Sequence, residues 1–311
     1  MKGELLLIFQ SGEFSKMEEA IQKFIKYCHK IKKSSENTEV SYRRDLEKLK
    51  AYLTENCRIE AWSAVTSTHL NSYILSLEEQ KYAASSISRA SASMKAFFAY
   101  LEKKDLIAEN PAEMIKPPKI EKKAPHVMAP ENVEKILNQP SPDTPKGLRD
   151  LAMLELLYAT GMRVSELIDL KVDDVNLAMN YLTCIDRKSE RIIPFGKAAK
   201  EKLTRYLEEG RPSFVGEKKT DYLFTNYSGG RMSRQGFWKV LKGYAEAAGI
   251  EEEITPHTFR HSFAAHMIQN GADLKSVQEM MGHSDISTTA MYRDLALSRM
   301  QEVYAHAHPH G

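Results

Sequence analysis

The chain has 311 residues, 42% hydrophobic and 28% charged, which suits about two globular domains with their own cores and excludes a disordered or fibrous protein. Its formal charge is only +2, divided as a net +4 over residues 1–128 and −2 over the remainder, so a nucleic-acid surface has to be local and lies mostly in the first half. Cys28, Cys57 and Cys184 are odd in number and form no C-x-x-C pair, which excludes a disulfide framework or a cysteine metal site and suits a reducing cytoplasm.

Leu5 to Phe9 is an apolar run too short to cross a bilayer, and residues 1–15 read as an N-terminal extension. Met17, Ala20, Ile21, Phe24, Ile25 and Cys28 then recur at helical spacing. Ser35 or Thr38 opens a second helix that runs through Tyr52 and exposes Arg43, Arg44, Lys48 and Lys50. Thr66 or Ser67 caps a third helix. Ser85 opens a fourth, whose buried stripe is Ile87, Met94, Phe97, Phe98 and Leu101. The four predict a helical bundle over 16–115 with wet, charged outer faces. Any one of the exposed cations taken alone reads as a solvated helix face before it reads as a phosphate contact.

From Asn110 to Pro125 four prolines and four lysines fall within sixteen residues, a composition that neither propagates a helix nor builds a core. Residues 116–128 therefore read as an extended basic linker, and Lys119 and Lys122 are candidate phosphate contacts.

Beyond it, Pro130 starts a short helix and Gly147 to Tyr158 forms a strongly apolar one that Gly161 closes. Arg163 follows in the turn, with Glu166 three residues on to orient it. Tyr181–Ile185 and Arg191–Phe195 read as strands of a hairpin, Gly196–Glu209 as a helix, Tyr222–Thr225 as a short strand and Ser233–Ala248 as a helix.

The stretch from Thr255 to Tyr292 carries the chemistry. Thr255 caps a helix with Pro256 in its first turn, so His257 and Arg260 stand three apart near its start; Gly271 ends that helix, Asp273 opens the next and Gly282 ends it just before His283. An arginine fork matches phosphate oxygens, histidines donate to those oxygens or move a proton, and a tyrosine hydroxyl is a nucleophile. Presented near helix ends, this set reads as an attack on a phosphodiester.

The blocks A-T-G-M-R-V-S-E-L, T-P-H-T-F-R-H-S-F-A-A-H and M-G-H-S-D-I-S-T-T with the closing M-Y resemble the signatures of the tyrosine recombinase, or phage integrase, family. The layout of bundle, linker and C-terminal catalytic domain is similar to its Xer branch, from about Glu18 onward. The resemblance implies a mainly α fold with a small β-hairpin or sheet in the second domain: a SAM-like core-binding bundle, a catalytic domain over 129–297, and a tail over 298–311 for contact between protomers. It implies that Arg163 and Arg260 clamp the scissile phosphate, that His283 adds a hydrogen bond, and that His257 accepts or orients the proton of Tyr292. Tyr292 would form a 3′-phosphotyrosine. The family's proton-donating lysine sits in a hairpin run G-K-G-x-K-x-R; here I-D-R-K-S-E-R is one residue shorter and lacks both glycines, leaving Lys188 as the nearest candidate.

Implied partners are a double-stranded DNA recombination site, a second recombinase protomer in a homo- or heterotetramer, and a septal DNA translocase, with no cofactor, metal or membrane. Several rivals share parts of the pattern. A mobile-element integrase or a type IB topoisomerase would use the same chemistry, and a catalytically silent DNA-binding module would fit the irregular hairpin. A metal-dependent hydrolase built on His257 and His261 would need a glutamate where Thr258 stands.

Overall fold

The structure, a computed structural model, describes residues 2–118, 126–186 and 189–282, with side chains from Lys16 onward apart from those of residues 186 and 189. The chain divides into two compact units between Lys122 and Lys123, inside the Pro/Lys-rich segment. It is mainly helical, with one small sheet in the second unit.

In the first unit four helices enclose an aromatic core: α1 (Lys2–Lys30), α2 (Glu36–Cys57), α3 (Ser67–Glu79) and α4 (Ala84–Lys103). Helix α1 begins at Lys2, so no break in secondary structure marks the expected boundary at residue 15. Ser35 and Thr66 cap α2 and α3 through their hydroxyls, as their residue types require. The fourth helix starts one residue before Ser85, and its N-cap Ala83 makes no side-chain capping bond. Phe24, Trp62, Phe97 and Phe98 meet edge to face, and Trp62 Nε1 donates to the Met17 carbonyl at 3.1 Å. The buried Asp45 carboxylate accepts from Arg89 and, at 2.8 Å, from Ser93 Oγ. Arg43, Arg44 and Lys48 are exposed on α2, as the pattern predicts, and Lys48 Nζ lies 3.2 Å from the Tyr82 hydroxyl, whereas Lys50, expected with them, is half-buried because it pairs with Glu18 of α1.

The second unit starts earlier than the expected boundary at 129. His126 pairs with Glu252 at 2.8 Å, and Met128 is 1% exposed, its amide donating to Ser262 Oγ at 2.9 Å and its carbonyl accepting from His266 Nε2 at 2.8 Å. The segment is therefore pinned before the first helix of this unit forms. Helices α5 (Pro130–Leu137) and α6 (Pro145–Thr160) follow, then the short α7 (Val164–Asp169). Thr144 caps α6, and Leu148, Ala152, Met153, Leu154, Leu156 and Leu157 bury it on nearly all sides at the centre of the core.

The sheet has three antiparallel strands in the order β1 (Val175–Asn176), β2 (Tyr181–Asp186) and β3 (Ser189–Pro194). Asp186 pairs with Ser189, so the hairpin is tighter than the five-residue D-R-K-S-E loop expected and only residues 187–188 join its strands. Tyr222–Thr225, expected as a strand, forms only isolated bridges, to Lys171 and Arg231; the third strand is instead Val175–Asn176. Leu182, Cys184 and Ile193 face the core, whereas Ile185 and Ile192 on the alternate face are 71% and 64% exposed.

Helix α8 (Lys197–Arg205) passes through a π turn at Tyr206–Gly210 into α9 (Arg211–Val215), which divides the single helix expected over 196–209. Then come α10 (Arg234–Ala247), α11 (Pro256–Gln269) and α12 (Leu274–Met281). The expected final helix, the tail over 298–311, Lys119, Lys122, Lys188, His283 and Tyr292 lie outside the described residues.

Gly161 shows how closely α6 and α11 approach. Its φ is +58°, and a Cβ there would fall 2.1 Å from Phe263 Cδ1. Gly161→Ala is expected to destabilise the protein by at least about 1–3 kcal/mol from the left-handed backbone alone, with the clash in addition. Urea unfolding reads this directly, and an unchanged midpoint contradicts the close approach.

Candidate active site

Helix α12 ends as its sequence requires. Asp273 caps its start by accepting from the Ser276 amide at 2.8 Å, and Gly282 closes it in the left-handed conformation with φ +63°. The Gly282 N–H turns back to the carbonyls of Gln278 and Glu279. A helix C-terminus also leaves its last carbonyls unsatisfied and carries partial negative charge. Here three arginines from three separate segments fill that role, one carbonyl each.

Arg191, on β3, donates through Nε to Met280 O at 2.9 Å. Arg260, in the second turn of α11, donates through Nη2 to Met281 O at 2.6 Å and through Nη1 to Gly161 O at 2.5 Å. Arg163, the N-cap residue of α7, donates through Nη2 to Gly282 O at 2.9 Å. The two arginines singled out from sequence are thus brought to adjacent carbonyls.

Glu166 ties the cluster together. Oε1 accepts from Arg163 Nη1 at 2.8 Å, and Oε2 accepts from the Arg163 backbone amide and from Arg191 Nη2, both at 2.7 Å. The orienting role read from the spacing of Arg163 and Glu166 is present in the geometry. Burial pushes the Glu166 carboxyl up, but the hydrogen bonds from Arg191 and the Arg163 amide, with the charge of both guanidiniums, bring it below its ordinary value.

Exposure differs from the expectation of a set presented rather than packed. Arg260 is 5% exposed and the Arg191 side chain 11%, while the Arg163 side chain is 36% exposed. The reason is that α11 is buried on most of its circumference, with Phe259, Ala264, Ala265 and Ile268 in the core, and Arg260 lies on that buried side. His257, on the first turn of the same helix, is exposed. His261 is held below the usual imidazole range by burial, with His257 and Arg260 adding to the effect.

His266 is structural. Since a carbonyl only accepts, its Nε2 carries the hydrogen given to Met128 O, and its Nδ1 faces the Tyr158 hydroxyl at 2.8 Å. Among the described residues no group of three or more His, Cys, Asp or Glu side chains is placed to hold a metal ion. None of the described helices is long and apolar enough to cross a membrane.

Residues 126–299 match the phage integrase family, and residues 21–105 match the N-terminal SAM-like domain of phage integrases. The chain belongs to the phage integrase family. Tyrosine recombinase XerD of Halalkalibacterium halodurans is 43% identical over 290 residues, covering 93% of this chain and 97% of the relative. Tyrosine recombinase XerD of Listeria innocua is 41% identical over 295 residues, covering 94% and 99%. In fold the chain is similar to XerH site-specific recombinase bound to palindromic difH in a post-cleavage complex, with a TM-score of 0.71 at 21% identity and coverage of 92% and 84%. It is also similar to the Tn1549 transposon integrase in complex with circular intermediate DNA, with a TM-score of 0.72 at 19% identity and coverage of 91% and 99%.

Family membership makes the chain a site-specific tyrosine recombinase, an enzyme that cuts and rejoins DNA. Sequence reasoning singled out Arg163, Arg260 and Glu166 and passed over Arg191. The signal for Arg191 was present: it holds the terminal arginine of the family's hairpin run even though the glycines and the spacing before it differ.

Glu166→Gln removes the charge that two guanidiniums share. Because the folded carboxyl is more acidic than the unfolded one, its contribution to stability is fully present above the ordinary value of 4.5 and is lost as pH falls through the depressed folded value. The variant should be less stable than the native chain at neutral pH by about 1–3 kcal/mol. The gap should close in acid, where the native carboxylate also takes a proton. Urea unfolding at several pH values measures it, and a gap independent of pH excludes the charged bridge.

Proposed function

We propose that the chain cleaves one DNA strand at a time with Tyr292, at a phosphate held by Arg163 and Arg260. The observation that carries this reading is the convergence of those two guanidiniums on Gly282 O and Met281 O, immediately before His283 in the chain. A guanidinium has five N–H donors in a fixed fork, so it suits both a carbonyl and a phosphate oxygen. Around these carbonyls two guanidiniums share the Glu166 carboxylate and the third, Arg260, donates to the Gly161 and Met281 carbonyls, so cations outnumber carboxylates among the described contacts, an arrangement that favours an anion.

In the proposed step the Tyr292 phenol oxygen bonds to phosphorus and its proton passes to His257. The bond from phosphorus to the 5′-oxygen breaks with its electron pair on that oxygen, which takes a proton from Lys188. His283 donates to a non-bridging oxygen. One P–O bond forms as another breaks, leaving a 3′-phosphotyrosine and a 5′-hydroxyl. The 5′-hydroxyl of another strand can then reverse the attack, so neither ATP nor a cofactor is needed. An ordinary phenol has a pKa of about 10, so this reading needs a proton acceptor beside Tyr292.

The 43% and 41% identity to XerD recombinases supports chromosome dimer resolution in the cytoplasm, ahead of a mobile-element role for which the Tn1549 likeness is one of fold alone. The proposed assembly is a tetramer of this chain with itself or a second recombinase on a duplex site. Residues 298–311 would reach a neighbouring protomer, and a septal translocase would activate the complex. The first unit would grip the duplex through Arg43, Arg44 and Lys48, with Lys119 and Lys122 following the backbone between the units.

A suicide substrate nicked beside the cleavage site tests the chemistry. The native chain should form a covalent adduct in EDTA, and Tyr292→Phe should form none. Arg163→Ala should slow adduct formation by about 10²–10³-fold while duplex affinity changes far less. An adduct from Tyr292→Phe rules out the assigned nucleophile.

Replacing Arg43, Arg44 and Lys48 together by Gln should weaken binding to every duplex and reduce the slope of log K against the logarithm of salt concentration by about 1 for each phosphate no longer neutralised. A slope that stays at the native value places the DNA face elsewhere.

A further inference from the structure

Arg191 is the one member of the arginine cluster to which the proposed chemistry gives no work, and it is held as firmly as the other two. Its register opposite Cys184 turns it to the inner face of the hairpin, where Cys184 is 2% exposed. From there its fork spans two elements that are distant in sequence. Nε donates to Met280 O on α12 at 2.9 Å, and Nη2 donates to Glu166 on α7 at 2.7 Å. Gly282 makes room for it, since a Cβ at that position would lie 2.7 Å from Arg191 Nη1.

The position of this clamp along the strand gives it a consequence. Arg191 lies two residues beyond Ser189, the first paired residue after the hairpin tip. A hairpin is free to tilt about its base unless something fixes it near the tip. Arg191 fixes it to the same two elements, α7 and α12, that set Arg163 and receive Arg260. Two donors held in one rigid plane, one reaching a carboxylate and one a carbonyl, are what a guanidinium supplies and an ammonium on a flexible stem does not.

We propose that Arg191 is a positioning residue for strand cleavage: by joining the hairpin to Glu166 and to the end of α12, it sets the hairpin where a proton can be delivered to the leaving 5′-oxygen. This rests on the strand-cleavage reading above. The residue itself touches no reacting atom, and its effect falls on one half of the reaction. Departure of the 5′-oxygen depends on the hairpin. Attack by Tyr292 on the clamped phosphate does not.

Replacing the bridging 5′-oxygen by sulfur separates these halves, because a thiolate leaves without a proton. Single-turnover adduct formation is measured for the native chain, Arg191→Ala and Arg191→Lys on matched oxygen and sulfur substrates. The adduct amplitude at long times gives the active fraction, so partial misfolding lowers amplitude rather than rate. On oxygen, Arg191→Ala should be slower by about 10–100-fold, the scale of an ångström-sized misplacement, and Arg191→Lys should fall between it and the native chain. On sulfur, both should return to within a few-fold of the native rate.

An equal loss on both substrates, or no loss on either, overturns the proposal. Where Arg191→Ala gives no active fraction, the oxygen-to-sulfur comparison in Arg191→Lys decides by the same criterion. Tyr292→Phe in the same assay keeps the two ideas apart: an adduct there ends the strand-cleavage reading, whereas the substrate dependence of the Arg191 variants bears on Arg191 alone.

Discussion

The second unit depends on how one short helix ends. Helix α12 stops at Gly282 in the left-handed conformation, and its three final carbonyls point at three guanidiniums that arrive from β3, α11 and the N-terminus of α7. A helix C-terminus needs donors and tolerates positive charge. An arginine needs acceptors arranged for a planar fork. Each satisfies the other, and the result gathers positive charge beside the residue that begins the next segment, His283.

Among the described contacts, one carboxylate and several carbonyls face these cations. A cluster of cations is unfavourable in a folded core unless anions or oriented dipoles offset it. Glu166 supplies one full negative charge, bonded to two of the guanidiniums and to the Arg163 amide, and the end of α12 with the Gly161 carbonyl adds oriented dipoles. Dipoles hold an arginine in place without neutralising it. In the proposed strand-cleavage reading, these guanidiniums are the groups that would meet the charge developing on a phosphate.

Much of this was legible in one dimension. Thr255, Asp273 and Gly282 mark helix ends by residue type, and the structure has helix ends at all three. The apolar run from Leu148 to Leu157 is a central helix, as its lack of a polar face predicts. The pairing of Arg163 with Glu166 followed from their spacing across a helix start. The strand expected at Tyr222–Thr225 failed because β-propensity says nothing of a partner: those residues form isolated β-bridges and no ladder, and β2 pairs instead with Val175–Asn176. The linker boundary was placed too late because Met128 is held by Ser262 and His266, which are remote from it in sequence.

The sequence by itself determined most of the helix caps, the two cores and the family, since each of these is written in local spacing or in side-chain type. Tertiary structure alone decided that Arg260 is buried rather than presented, that Arg191 belongs with Arg163 and Arg260, and that one carboxylate serves two of the three. Those facts concern which carbonyl or carboxylate lies within hydrogen-bond reach of which guanidinium. Such distances are set where β3, α7, α11 and α12 pack together, and no periodicity along the chain records them.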